Sequence, residues 1–189
     1  MLAFTSPSAA LVTADPTYES GWRAASRNGA KLVKVPLRKD FSHDVQAMCA
    51  ADTNAGVIYI CNPNNPTGSV TARKDLDYAL AHKPKGSILV VDEAYIHFAQ
   101  STRSVLDMVA AGEDVVVLRT FSKLYGMAGI RLGYAAARPD LLAKLMFYSV
   151  NSLPVTAAAA VVTAVGSAAS AWLGSAAAQA SSSLVRLSL

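Results

Sequence analysis

Lys123 stands in Arg119-Thr120-Phe121-Ser122-Lys123, just after two hydroxyl side chains, with Arg131 further on beyond Gly126 and Gly129. Hydroxyls and a guanidinium suit a phosphate group, and glycines let backbone approach a ligand closely. A lysine beside such a cradle is what an imine with a phosphorylated aldehyde requires. Taken alone, a lysine in a loop is usually a solvated surface charge. Asp92 closes an apolar run in Val90-Val91-Asp92-Glu93-Ala94-Tyr95. A carboxylate in that position is costly unless a cation meets it, and a pyridinium nitrogen is one such cation. Capping the helix that follows is the ordinary alternative. Asn62-Pro63-Asn64-Asn65-Pro66-Thr67-Gly68 is a rigid turn cluster. It is either a plain loop after a strand or a mount that sets the Asn65 amide against a ligand oxygen. Tyr18, after Asp15-Pro16-Thr17, either packs in the core or offers a ring face.

The elements around these residues alternate. Apolar, β-branched runs at residues 10–13, 31–37, 56–61, 87–91, 115–118 and 133–137 read as strands. Helical patterns lie between them. One spans 18–27 and is closed by Asn28-Gly29; others span 45–51, run to about 82 from a cap at Thr71, and span 105–111; a last one starts at Pro139. Buried strands separated by helices predict a three-layer α/β/α unit with a mostly parallel sheet, and an antiparallel element near 133–137. Ligands of such sheets sit beyond the carboxyl ends of the strands, where Asn65, Asp92 and Lys123 fall.

The 189 residues carry a net charge of +4, with 52% hydrophobic and 16% charged, a composition that sustains a core and excludes a disordered chain. The basic residues are scattered, so no nucleic-acid partner is expected. Cys49 and Cys61 form neither a disulfide framework nor a metal-ligand spacing, which points to a reducing cytoplasm. The first ten residues do not read as a secretion signal. No charge occurs between Lys144 and Arg186. This stretch could span a bilayer by length, but Ala, Ser and Gly give little drive for insertion, so no membrane association is expected. A buried Ala-rich helix is expected up to about residue 165, and a low-complexity tail over 166–189.

The segments DPTYES, YICNPNNPTG, VVDEAY and RTFSKLYGMAGIRLGY, in this order and spacing, resemble the class I and II aminotransferases of fold type I, nearest to the histidinol-phosphate subfamily. The matching stretch runs over residues 11–165. The resemblance implies a pyridoxal 5'-phosphate enzyme of amino-acid biosynthesis. It would move an amino group between an amino acid, or an amino-alcohol phosphate, and a 2-oxo acid, and would work as a homodimer. It implies that Lys123 holds the cofactor covalently and moves a proton, and that Asp92 pairs with the ring nitrogen. Tyr95 and Asn65 would hold the 3′-oxygen, Tyr18 would stack on the ring, and Thr120, Ser122 and Arg131 would contact the phosphate. Residues 1–165 are then part of a cofactor-binding large domain. Family members are longer. Their upstream helix start and the domain with the carboxylate-binding arginine have no counterpart here, so little or no turnover is expected of this chain alone. A non-catalytic remnant, or a lyase or decarboxylase of the same fold, is the alternative reading.

Overall fold

The computed structural model describes residues 1–148, Ala157 and Leu184–Leu187. Seven strands form one sheet in the order β2-β1-β3-β4-β5-β6-β7. They are β1 (Ala10–Asp15), β2 (Leu32–Pro36), β3 (Ala55–Cys61), β4 (Ile88–Asp92), β5 (Val115–Thr120), β6 (Gly133–Ala136) and β7 (Leu184–Leu187). Strands β1 to β5 pair in parallel, and β6 and β7 are antiparallel additions at one edge. Every residue of β4, and all but Gly56 of β3, is buried. This is why those runs read as continuously apolar: a central strand covered on both faces has no solvent side to mark with polar residues.

The helices are α1 (Ser20–Arg27), α2 (Val45–Ala50), α3 (Arg73–His82), α4 (Leu106–Ala110) and α5 (Pro139–Met146). One layer is made by α2, α3 and α4, whose Val45, Met48, Leu76, Ala79 and Met108 pack on Val12, Ile58, Leu89 and Val117. The other is made by α1 and α5, whose Ala25, Leu141 and Leu142 pack on Leu11, Val57, Val90 and Val116. From β1 the chain steps outward to β2, then returns across to β3 and proceeds the other way. The crossover helices change face accordingly, as a uniform crossover hand requires. The reversal opens a crevice between the carboxyl ends of β1 and β3. The expected three-layer architecture and the antiparallel strand over 133–136 are therefore present. The Ala-rich helix and the tail lie outside the described residues, apart from buried, helical Ala157 and strand β7.

Thr71 does not cap α3. The N-cap is Ala72, which carries no capping side chain. Thr71 is instead drawn inward: its N–H donates to Asn62 Oδ1 at 2.9 Å, and its hydroxyl lies 2.8 Å from His43 Nδ1. His43 is 1% exposed and burial pushes it down to about 4 from 6.5. The unfolded chain takes up a proton between those values that the folded chain refuses. The group therefore leaves stability untouched above pH 6.5 and removes about 3 kcal/mol as pH falls towards 4. Denaturant midpoints should drop over that interval. His43→Asn, which keeps a partner for Thr71 without titrating there, should remove this part of the slope; an unchanged slope would assign it to other groups.

At Gly56 an added Cβ would sit 2.0 Å from the Phe4 carbonyl oxygen, so only glycine lets the amino-terminal turn lie against β3. That turn brings Met1, Leu2 and Ala3 to the cavity described next.

Candidate active site

A cavity of about 570 Å³ opens at the carboxyl ends of β1, β3, β4 and β5. Tyr18, Asn65, Asp92, Tyr95, Thr120, Ser122, Lys123 and Arg131 all line it. They come from four separate connections, and the strand order alone brings them together.

The first two connections fasten to each other across the crevice. Thr17 Oγ1 donates to Asn64 Oδ1 at 2.7 Å, and Asn64 Nδ2 donates to the Pro16 carbonyl at 3.2 Å and to Thr67 Oγ1 at 2.8 Å. Asn64 is thus the buried clasp. Its neighbour Asn65 is left half-buried at the cavity wall, and Tyr18 is 43% exposed at the rim.

Asp92 ends β4 and is 8% exposed. Its Oδ1 accepts the Ala94 N–H at 3.0 Å, and its Oδ2 accepts the Tyr59 hydroxyl at 2.8 Å. Burial raises its pKa above the ordinary carboxylate value, against the hydrogen bonds from Tyr59 and Ala94 and the positive charge of Lys123. The anion is held, yet unsettled by its surroundings, which is the condition of a carboxylate lacking a full cationic partner. The bond to Ala94 closes a local turn, and Asp92 caps no helix.

The next residue, Glu93, is 1% exposed and points elsewhere. Its Oε2 accepts Arg119 Nε at 3.0 Å and Nη2 at 2.9 Å, together with Ser104 Oγ at 2.8 Å; its Oε1 accepts the Val105 N–H at 2.8 Å. A buried pair of this kind, with both guanidinium bonds on one carboxylate oxygen and the other oxygen taken by backbone, fixes geometry. It ties the segment carrying Tyr95 to the strand that leads to Lys123. Sequence reading missed Glu93, Arg119 and Tyr59. Each had a visible signal, a polar group in or next to a buried strand, but their partners depend on strand order.

After β5 the chain makes a tight lobe. Ser122 N–H donates to Thr120 Oγ1 at 3.0 Å, Phe121 is buried, and the Gly126 N–H donates to the Lys123 carbonyl at 3.0 Å. Lys123 is exposed, with its Nζ 5.2 Å from the centre of the Tyr95 ring. Arg131 holds a left-handed backbone, φ 58°, which is uncommon for a non-glycine residue and is often found at functional sites. Its Nη1 donates to the Ala128 carbonyl at 2.8 Å. Gly126 supplies a φ of +64°, and the space beside it and beside Gly129 is open.

Residues 1–185 match the family model of aminotransferase class I and II. The chain belongs to that family. A histidinol-phosphate aminotransferase of Moorella thermoacetica is 41% identical over 170 residues, covering 85% of this chain and 44% of the relative. An aromatic amino acid aminotransferase of Rhodococcus erythropolis is 45% identical over 117 residues, 61% of this chain and 33% of the relative. The crystal structure of histidinol-phosphate aminotransferase from Sinorhizobium meliloti, in complex with pyridoxal-5'-phosphate, superposes with a TM-score of 0.69 at 29% identity over 79% of this chain and 41% of that one. This aminotransferase chain therefore spans less than half the length of these relatives. The family match also extends past residue 165, into the strand that closes the sheet edge. Among the described residues no helix is long and apolar enough to cross a membrane.

Proposed function

We propose that this chain is the cofactor-binding core of a pyridoxal 5'-phosphate-dependent aminotransferase acting on histidinol phosphate or an aromatic amino acid, with a 2-oxo acid as acceptor. The convergence of eight side chains of complementary chemistry on one cavity of about 570 Å³ carries the reading. That volume suits a small ligand, and the residues fit this one. Asp92, buried and short of a cation, would meet the ring nitrogen. Asn65 and Tyr95 would hold the 3′-oxygen, and Tyr18 would cover the ring. Thr120, Ser122 and Arg131 would hold the phosphate. Lys123 would carry the aldehyde and move the substrate's proton. The cofactor, when bound, supplies an electron sink for the carbanion at the substrate Cα. The protein's part is to orient it, keep the nitrogen's partner ionised and place the Lys123 amine.

The substrate classes are those of the two relatives, a histidinol-phosphate and an aromatic amino acid aminotransferase. The alternative phosphate-bearing and aromatic donors share a flat ring, which suits a cavity rimmed by Tyr18 and Tyr148. Two buried free thiols, Cys49 and Cys61, support a reducing cytoplasm. Exposed Tyr18, Leu124, Tyr125 and Tyr148 support a homodimer covering this face.

The test is spectroscopic. Cofactor added to the purified chain should give a protein-dependent visible band. In a chain joined to the segments that its longer relatives carry, histidinol phosphate or an aromatic amino acid should discharge it, and 2-oxoglutarate should restore it. A chain that gives no such band does not hold the cofactor. A band indifferent to every donor would contradict the transaminase assignment.

A further inference from the structure

Tyr59 lies in the middle of β3, 2% exposed, on the sheet face covered by α1 and α5. In the parallel register Tyr59 is opposite Val90 and Cys61 is opposite Asp92. The phenol therefore reaches diagonally along the same face to Asp92, where its hydroxyl donates to Oδ2 at 2.8 Å. The other oxygen, Oδ1, takes the Ala94 N–H. One donor on each oxygen fixes the plane of the carboxylate. Tyr59 is also a wall of the cavity, so the bond is made at the site and not behind it.

We propose that Tyr59 is a positioning residue, whose phenol orients the Asp92 carboxylate and keeps it ionised towards the cofactor site. Removing the charge of a carboxylate in an apolar setting is otherwise the easier outcome, because its hydration is lost. A short hydrogen bond to the charged form opposes that loss. The phenol cannot release its own proton instead: burial first, and then the charge of Asp92, push its pKa well above the ordinary value. Its role as donor is thereby fixed. The charged and titratable groups around Asp92 are few. Glu93 adjoins it and disfavours its ionisation, Lys123 favours it from the lobe after β5, and Cys61 lies beside it on β3. The Cys61 thiol is itself pushed up to about 12, so it stays neutral and adds no charge. Tyr59 is the only side chain whose hydrogen bond holds Asp92 in its ionised form among the described residues.

This inference rests on the reading of Asp92 as the partner of the ring nitrogen, and the experiment separates the two. The Asp92 carboxyl is titrated by carbon-13 NMR in the cofactor-free 189-residue chain, its resonance assigned by its loss in Asp92→Asn. Tyr59→Phe should raise the midpoint by about one to two pH units, the shift equivalent to one hydrogen bond to a charged group. Incorporation of 3,5-difluorotyrosine at position 59 keeps the shape and strengthens the donor, and should lower the midpoint. Thr13→Val alters packing beside Tyr59 in the register and leaves the bond intact, so it should not move it. The same variants are then loaded with pyridoxal 5'-phosphate and their visible absorption is followed against pH. Tyr59→Phe should displace that titration too. Equal midpoints in Tyr59→Phe and the parent, or a shift of the same sign with the fluorinated residue, would overturn the proposal. A shift in the cofactor-free chain, with an absorption unchanged even in Asp92→Asn, would leave the hydrogen bond standing but refute its service to the cofactor.

Discussion

Lys123→Ala should abolish covalent retention of pyridoxal 5'-phosphate and, in a chain joined to the segments that its longer relatives carry, lower transamination roughly a thousandfold or more, the combined loss of attachment and of a placed proton carrier. The structure gives reasons to expect little else to change. Lys123 is exposed, and its backbone is held by the Gly126 N–H irrespective of the side chain. Thermal stability should therefore match the parent. Borohydride reduction of the loaded chain, followed by peptide mapping, should find the label at position 123 in the parent and nowhere in the variant. Retention of a reducible adduct at the parent's level would show that another amine carries the cofactor.

Asp92→Asn should have the second large effect, and in two opposite directions. The substitution keeps the shape and removes the charge. Loss of one partner of a buried charge pair corresponds to about 3–5 kcal/mol, or roughly a hundredfold to several-thousandfold in kcat/KM in a chain joined to the segments that its longer relatives carry. In the absence of cofactor the same charge is a burden, since burial raises the Asp92 pKa despite its hydrogen bonds. The cofactor-free variant should therefore melt no lower than the parent. Activity and stability moving apart would mark a group kept for chemistry. A variant with unchanged turnover would refute the role, and one with a lower melting point would recast Asp92 as structural.

The sequence made the strand ends legible because central strands are buried on both faces. A run such as Val57 to Cys61 has no solvent side, so the polar residue that ends its apolar character stands out. The same contrast made Asp92 and the Asn62–Gly68 loop visible. What was not legible depends on which strand lies beside which. The Tyr59 bond to Asp92 needs the β3–β4 register, and the Glu93–Arg119 pair needs β4 next to β5. Thr71 was assigned to a helix cap on local grounds, but its partner, His43, comes from 28 residues away. Strand β7 follows an Ala/Ser-rich stretch with no strand signal, and joins the sheet through β6.

The antiparallel setting of β6 has a consequence for how this architecture can change. A parallel connection must cross the sheet and return at its far end, so its length is bound to a helix. The lobe between β5 and β6 leaves and re-enters at one edge, closed at its neck by the Phe121 N–H on the Leu132 carbonyl at 3.0 Å. It is a self-contained cassette. Residues can be inserted into it or exchanged without disturbing the register that sets Asp92 or the clasp that sets Asn65. Under the proposed roles, the amine and the phosphate contacts of Ser122 and Arg131 lie on this loop, whereas the anion that meets the ring nitrogen lies on the frame. A scaffold divided in that way can acquire a new reaction by reshaping the loop while the setting of that anion stays constant.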